Sequence, residues 1–238
     1  PFGTKFFQHA TKGEETTFKL QLASEPDKLD PALNSTVDGA TLAANSFGGL
    51  YTYNAEGQLT PNFATGFEMS EDGLTYTFTM REGLQWSNGD PLTAKDFEYS
   101  WKRAVAGETA ADYSYMFNSI AGYPDNLEVM ASEDGTVFTV KLSSPTAYFL
   151  DLAAFPTFFA VHQETVENAA GYKNEAGEVV SPGAWALEAG FVSSGAFMLE
   201  SWTHEESMVY VKNPNYWDAE NVKLEKLEFM LSADDVAI

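Results

Sequence analysis

The stretch from Phe67 to Arg103 limits the fold more than any other, because turn, strand and helix signals follow one another there without a gap. Ser70-Glu71-Asp72-Gly73 is a turn by its chemistry: Asp bonds its own backbone locally, and Gly accepts positive φ at no steric cost. Behind it Leu74, Tyr76, Phe78 and Met80 alternate with Thr75, Thr77 and Thr79. A period of two places the large apolar side chains on one buried face of a strand, so the turn closes a hairpin. Trp86 and a second turn signal, Asn88-Gly89, come next. Thr93 follows Pro91 and precedes Asp96 by three residues, the spacing at which hydroxyl and carboxylate satisfy the free amides of a helix start. Phe97, Trp101, Ala104 and Val105 then recur at helical spacing, with Lys95, Asp96, Lys102 and Arg103 expected to face elsewhere. Helical stripes such as Phe97 and Trp101 are ordinarily core rather than a ligand platform.

The rest of the chain reads as alternating strands and helices. Phe18 to Leu22 is a half-buried strand broken by Glu25 to Pro31, with its two prolines. A helix is expected over Asp38 to Phe47, ended by Gly48-Gly49. Leu50 to Tyr53 is a short strand. Asp112 to Ala121 reads as a short helix carrying Tyr113, Tyr115, Met116 and Phe117. Leu127 to Ala131, Ser132-Glu133-Asp134-Gly135 and Val137 to Leu142 repeat the first hairpin, and the two copies are expected to pair within one antiparallel sheet. Pro145 opens a helix, Phe158 to Val161 reads as a buried strand, and His162 to Ala170 as helical. Asn174 to Gly183 is a loop. Strands return at Ala196 to His204, Ser207 to Lys212 and Leu224 to Leu231.

Composition narrows the function. In 238 residues, 13 Lys plus Arg stand against 35 Asp plus Glu, a net charge of −22. Such a field repels phosphate backbones and anionic lipid headgroups, which argues against nucleic acid as a partner. Cysteine is absent, which removes thiol chemistry, disulfides and Cys-based metal sites. His9, His162 and His204 are far apart and lack an H-E-x-x-H context, and no D-x-[DN]-x-[DN]-G calcium loop occurs. Glycine-rich phosphate cradles and a G-x-S-x-G elbow are also missing. With 35 carboxylates a glycosidase-type pair stays open, although nothing singles one out.

The segment SEDGLTYTFTMREGLQWSNGDPLTAKDFEYSWKR resembles the hallmark of the family 5 extracellular solute-binding proteins, the oligopeptide-binding (OppA-like) components of ABC importers. That family has a strand ending in a basic residue, a W-S-[DN]-G-x-P-[LV]-T-A-x-D turn and an aromatic helix ending W-[KQ]-R, in this order. A second segment, FVSSGAFMLESWTHEESMVYVKNPNYWD, is similar to its G-[PA]-[YF] strand and the strand ending N-P-x-Y-W. Ser193-Ser194 departs, standing where many members carry Thr or Asn before the Gly.

The resemblance implies an α/β fold of the periplasmic-binding-protein-like type II (cluster C) kind. The expected parts are a lead-in over 1–16, a first lobe split between 17–47 and 184–238, and an inserted small α/β subdomain over 48–183. The second lobe of the clamp is expected to lie outside this sequence. The function implied is not enzymatic: an extracytoplasmic binding component that delivers oligopeptides to an ABC importer permease, monomeric, without a cofactor. Its membrane link would be a lipid anchor outside this sequence, as in cell-surface lipoproteins of Gram-positive bacteria, with the periplasm as the other setting. Oligosaccharides and nickel or haem complexes are bound by other members, and a secreted glycan hydrolase is the reading outside the family. In the family, ligand backbone is held by main-chain hydrogen bonds from a stretch just after the L-D-P turn. That stretch falls on Ser35, Thr36 and Val37 after Leu29-Asp30-Pro31. A ligand-facing tyrosine, counted from W-[KQ]-R, matches Tyr113.

Overall fold

The structure is a computed structural model and describes residues 16–231; the sequence-predicted lead-in lies almost wholly outside them. In chain order the regular elements are β1 (Thr17–Leu22), α1 (Val37–Ser46), β2 (Tyr51–Tyr53), β3 (Leu59–Pro61), β4 (Ala64–Met69), β5 (Thr75–Met80) and α2 (Ala94–Val105). They are followed by β6 (Val129–Ala131), β7 (Val137–Lys141), α3 (Phe149–Leu152), α4 (Gln163–Glu167), β8 (Phe197–Thr203), β9 (Ser207–Lys212) and β10 (Lys226–Leu231).

Two four-stranded sheets organise these elements. One has the order β1-β10-β9-β8, with β1 parallel to β10 and the other pairs antiparallel. The other is β4-β5-β7-β6, antiparallel throughout. The two hairpins with twin Ser-Glu-Asp-Gly turns therefore do join in one sheet, through β5 and β7. In both turns the Asp side chain accepts the backbone N–H two residues on, Leu74 in one and Thr136 in the other.

Tyr76, Phe78 and Met80 form the buried face of β5, where Tyr76 and Phe78 pack on Phe149 at ring distances of 4.8 and 6.3 Å. Thr93 caps α2 with a reciprocal box: its hydroxyl accepts from Lys95 N at 3.2 Å, and Asp96 Oδ2 accepts from Thr93 N at 2.7 Å. Trp101 is fully buried, with Phe117, Phe138, Phe149 and Phe158 at ring distances of 5.7, 5.0, 6.3 and 5.1 Å, all near-perpendicular edge contacts. Edge-on packing aims positive ring edges at negative faces and contributes beyond simple burial.

Three predicted elements differ. Phe158 to Val161 is buried but is not a strand: a 3-10 turn over Pro156–Phe158 leads into extended chain. Its backbone groups are satisfied by α2 side chains instead of a neighbouring strand. Trp101 Nε1 donates to Phe158 O at 2.8 Å, and Ser100 Oγ accepts from Val161 N at 2.8 Å. The helix expected over Asp112 to Ala121 contracts to a 3-10 turn at Ser114–Phe117, and that over His162 to Ala170 to α4. Arg103 does not face away from the core. It is 6% exposed and buried against the chain after β1.

Candidate functional site

Residues 23–36 connect β1 to α1, and the shape of 29–36 is fixed from two directions. Asp30, 1% exposed, sits at the centre of the Leu29-Asp30-Pro31 turn. Both its carboxylate oxygens face the Arg103 guanidinium, Trp185 Nε1 donates to Oδ2 at 2.8 Å, and Ala32 N donates to Oδ1 at 3.0 Å. Arg103 also donates to Pro182 O at 2.9 Å. One buried ion pair thus joins the turn, α2 and the loop before β8. Paired and hydrogen-bonded in this way, two charges tolerate burial that neither would tolerate alone.

The second constraint is Asn34. Its Oδ1 accepts from Thr36 N at 3.2 Å and from Thr36 Oγ1 at 3.1 Å, and its Nδ2 donates to Thr36 O at 3.0 Å. Thr36 in turn caps α1, its hydroxyl accepting from Gly39 N at 3.1 Å. A Cβ on Gly39 would lie 1.9 Å from Asn34 Oδ1, so only glycine admits the Asn34 side chain here. Both main-chain polar groups of Thr36 are consequently turned inward and occupied.

Its two neighbours face the other way. Ser35, Thr36 and Val37 are exposed, and Val37 is 82% exposed. Ser35 N–H and Val37 N–H have no partner among the described residues. Across a trans peptide the C=O and N–H point opposite ways, so the inward Thr36 O turns Val37 N–H outward and the inward Thr36 N–H turns Ser35 O outward. Ser35 O accepts from the Tyr113 hydroxyl at 3.4 Å, which brings the tyrosine from the α2 side onto the same surface. The Tyr113 ring lies 6.1 Å from Tyr115 and 5.9 Å from Phe155. The four sequence-derived residues therefore form one group, in which Thr36 shapes the segment and Ser35 and Val37 offer its free donors.

Sequence reasoning missed the supports of this group. Asp30, Arg103 and Trp185 are far apart in the chain, and no local spacing connects them. The signal that existed was two opposite charges at fixed places in the quoted motifs, the Asp of L-D-P and the Arg that ends the aromatic helix.

Both histidines among the described residues have structural partners. His162 caps α4: Thr165 N donates to Nδ1 at 3.3 Å, and Nε2 lies 3.0 Å from Asp90 Oδ2. His204 stands between Glu25 at Nδ1 and Glu188 at Nε2, with the Trp202 ring 4.4 Å away. Among the described residues no group of three or more His, Cys, Asp or Glu is placed to hold a metal ion. No helix among them is long and apolar enough to cross a membrane. Tyr216 and Trp217 of the N-P-x-Y-W segment pack rather than project. Trp217 Nε1 donates to Asn62 Oδ1 at 2.9 Å, and the Arg81 guanidinium lies 3.7 Å above its ring.

A fold that joins one mixed and one antiparallel four-stranded sheet in this order is that of the first part of a solute-binding protein of the periplasmic-binding-protein type. The chain belongs to the bacterial extracellular solute-binding proteins of family 5, whose middle-region model matches residues 58–238. It is 36% identical over 231 residues to the oligopeptide-binding protein OppA of Bacillus subtilis, and 32% identical over 233 residues to the dipeptide-binding protein DppE of that organism. Those alignments take in 93% and 94% of this chain and 40% of each relative. The structure superposes on Listeria monocytogenes OppA bound to peptide with a TM-score of 0.81 at 32% identity, covering 91% of this chain and 42% of that one. For the Escherichia coli murein tripeptide binding protein MppA the TM-score is 0.80 at 27% identity, over 92% and 42%. The chain thus spans about two fifths of the length of the relatives it matches.

Proposed function

We propose that this chain is the first-lobe part of the extracytoplasmic binding component of an ABC importer, and that the complete clamp takes up oligopeptides. The observation that carries the reading is the segment Ser35 to Val37, where Asn34 fixes Thr36 inward and leaves two main-chain donors facing out beside Tyr113. Every peptide presents the same backbone acceptors, so donors of this kind hold extended ligands with little regard to sequence. The names of the relatives, oligopeptide-binding and dipeptide-binding, support the same class. On this reading 17–47 and 184–238 form lobe I and 48–183 its inserted subdomain, in keeping with one sheet built from β1, β8, β9 and β10 and the other from β4 to β7. The protein acts as a monomer outside the membrane, held by a lipid anchor beyond these residues, and hands its ligand to a permease after hinge closure.

The test is Val37→Pro in the full-length protein. Val37 is the first residue of α1, where proline is tolerated because that N–H has no helical partner, and Thr36 already has the extended φ of −116° and ψ of 155° that a following proline requires. The substitution deletes one donor and leaves the fold alone. A net hydrogen bond of about 0.5–1.5 kcal/mol corresponds to a loss of roughly 2- to 12-fold in peptide affinity. Calorimetric titration with tri- to pentapeptides should show that loss at unchanged melting temperature. Unaltered affinity would remove Val37 from the site, and the absence of binding by any peptide to the parent protein would remove the peptide class.

A further inference from the structure

The chain through α3 presents an exposed edge that the main-chain donors leave unused. Asp151 N bonds Tyr148 O at 3.1 Å, Ala153 N bonds Phe149 O at 3.1 Å, Ala154 N bonds Asp151 O at 3.2 Å and Phe155 N bonds Leu152 O at 2.9 Å, which continues the helical turns from Tyr148 to Phe155. Residues three and four apart on such a coil share a face. Tyr148, Asp151 and Phe155 therefore form one row, while Phe149 and Leu152 are buried in the core.

The row is continuous with the candidate site. Phe155 meets Tyr113, and the Tyr113 hydroxyl reaches Ser35 O. At its middle Asp151 Oδ1 accepts from the Tyr53 hydroxyl of β2. Tyr53, Tyr115 and Tyr148 are 49%, 57% and 57% exposed. Asp151 is exposed, has no cationic partner among the described residues, and Oδ2 has no hydrogen-bond partner there. Tyr53 thus holds the carboxylate in place by one oxygen and leaves the other free.

We propose that this row is a specificity subsite of the peptide cleft, in which Asp151, Tyr53 and Tyr148 receive a basic side chain of the ligand, arginine above all. The inference rests on the peptide-binding reading and deepens it. A guanidinium pairs a carboxylate through parallel N–H groups and stacks on aromatic faces, and these are the two chemistries that the row combines. The net charge of −22 on this chain favours the approach of a cationic ligand to its side of the cleft, while the choice of position is left to Asp151.

The experiment uses the full-length protein and alanine-based pentapeptides in which arginine, or its uncharged isostere citrulline, occupies each position in turn. Calorimetry should find one position at which arginine binds about tenfold more tightly than citrulline, and Asp151→Asn should bring that ratio close to one. Asp151 is exposed, so the variant is expected to fold, and an unchanged melting temperature verifies it. Equal binding of arginine and citrulline at every position, with the peptides still bound, overturns the subsite and leaves the peptide reading intact. A ratio that survives Asp151→Asn also overturns it. No binding by any of the peptides overturns the peptide reading and the subsite with it.

Discussion

Breaking the Asp30–Arg103 pair should be among the most damaging single changes in this structure. In Arg103→Met the Asp30 carboxylate, 1% exposed, keeps only the donors Trp185 Nε1 and Ala32 N. In Asp30→Asn the guanidinium, with a side chain 5% exposed, keeps only Pro182 O as a strong acceptor. Removing one partner of a buried pair leaves an uncompensated charge, so each single variant should lose about 3–5 kcal/mol of stability. The double variant buries no charge, and the amide oxygen that Asp30→Asn introduces can still accept from one of the two groups that donate to separate oxygens of Asp30, Trp185 Nε1 or Ala32 N. It should therefore recover more than about 2 kcal/mol of the summed loss, since residues in direct contact couple strongly in a double-mutant cycle. Urea unfolding followed by tryptophan fluorescence measures all four proteins. Losses under about 1 kcal/mol, or strict additivity, would refute the reasoning, because they would mean that water or other groups already relieve these charges. Peptide affinity gives a second reading. The turn that Asp30 fixes leads directly into Ser35 to Val37, so the single variants should weaken binding even under conditions where they remain folded.

Other expectations are more local. Thr93→Ala removes the hydroxyl half of the α2 capping box and should cost about 1 kcal/mol in urea unfolding, while Thr93→Ser should cost little. Gly195→Ala would put a Cβ 2.4 Å from Asn45 O and 2.7 Å from Phe47 N, both backbone atoms that cannot swing aside, and a loss of about 1–3 kcal/mol is expected. The hydrogen bond that His204 donates to Glu25, aided by Glu188, raises its pKa above the ordinary 6.5, against a smaller opposing effect of partial desolvation. The pin between β1 and the β8–β9 hairpin is therefore fully present below the unfolded histidine pKa and is lost as pH rises through the higher folded value. An NMR titration should place the His204 midpoint above 6.5, with Glu25→Gln bringing it down.

What the sequence made legible was whatever repeats at short range. The alternation through Thr75 to Met80, the Thr93–Asp96 box and the twin Ser-Glu-Asp-Gly turns are each decided within a few residues, and each stands in the structure where its spacing puts it. Periodicity failed where a side chain from elsewhere took over a backbone's bonding. Phe158 to Val161 has the apolar run of a buried strand, yet Ser100 and Trp101 supply its hydrogen bonds, so no neighbouring strand is needed. The same holds for charge. In the chain Arg103 adjoins Lys102 and reads as a solvated end of α2, whereas Asp30, brought up by the fold, pairs with it in the interior. Resemblance to family motifs named Ser35, Thr36, Val37 and Tyr113, residues that no periodicity singles out, and the fold brings the Tyr113 hydroxyl to Ser35 O. It could not divide their labour. That division follows from Asn34, which occupies both main-chain groups of Thr36 and so leaves the residues on either side to face outward. An Asn34→Ala variant should release Thr36 and blur the alternation, lowering peptide affinity although Asn34 is itself buried beneath the segment.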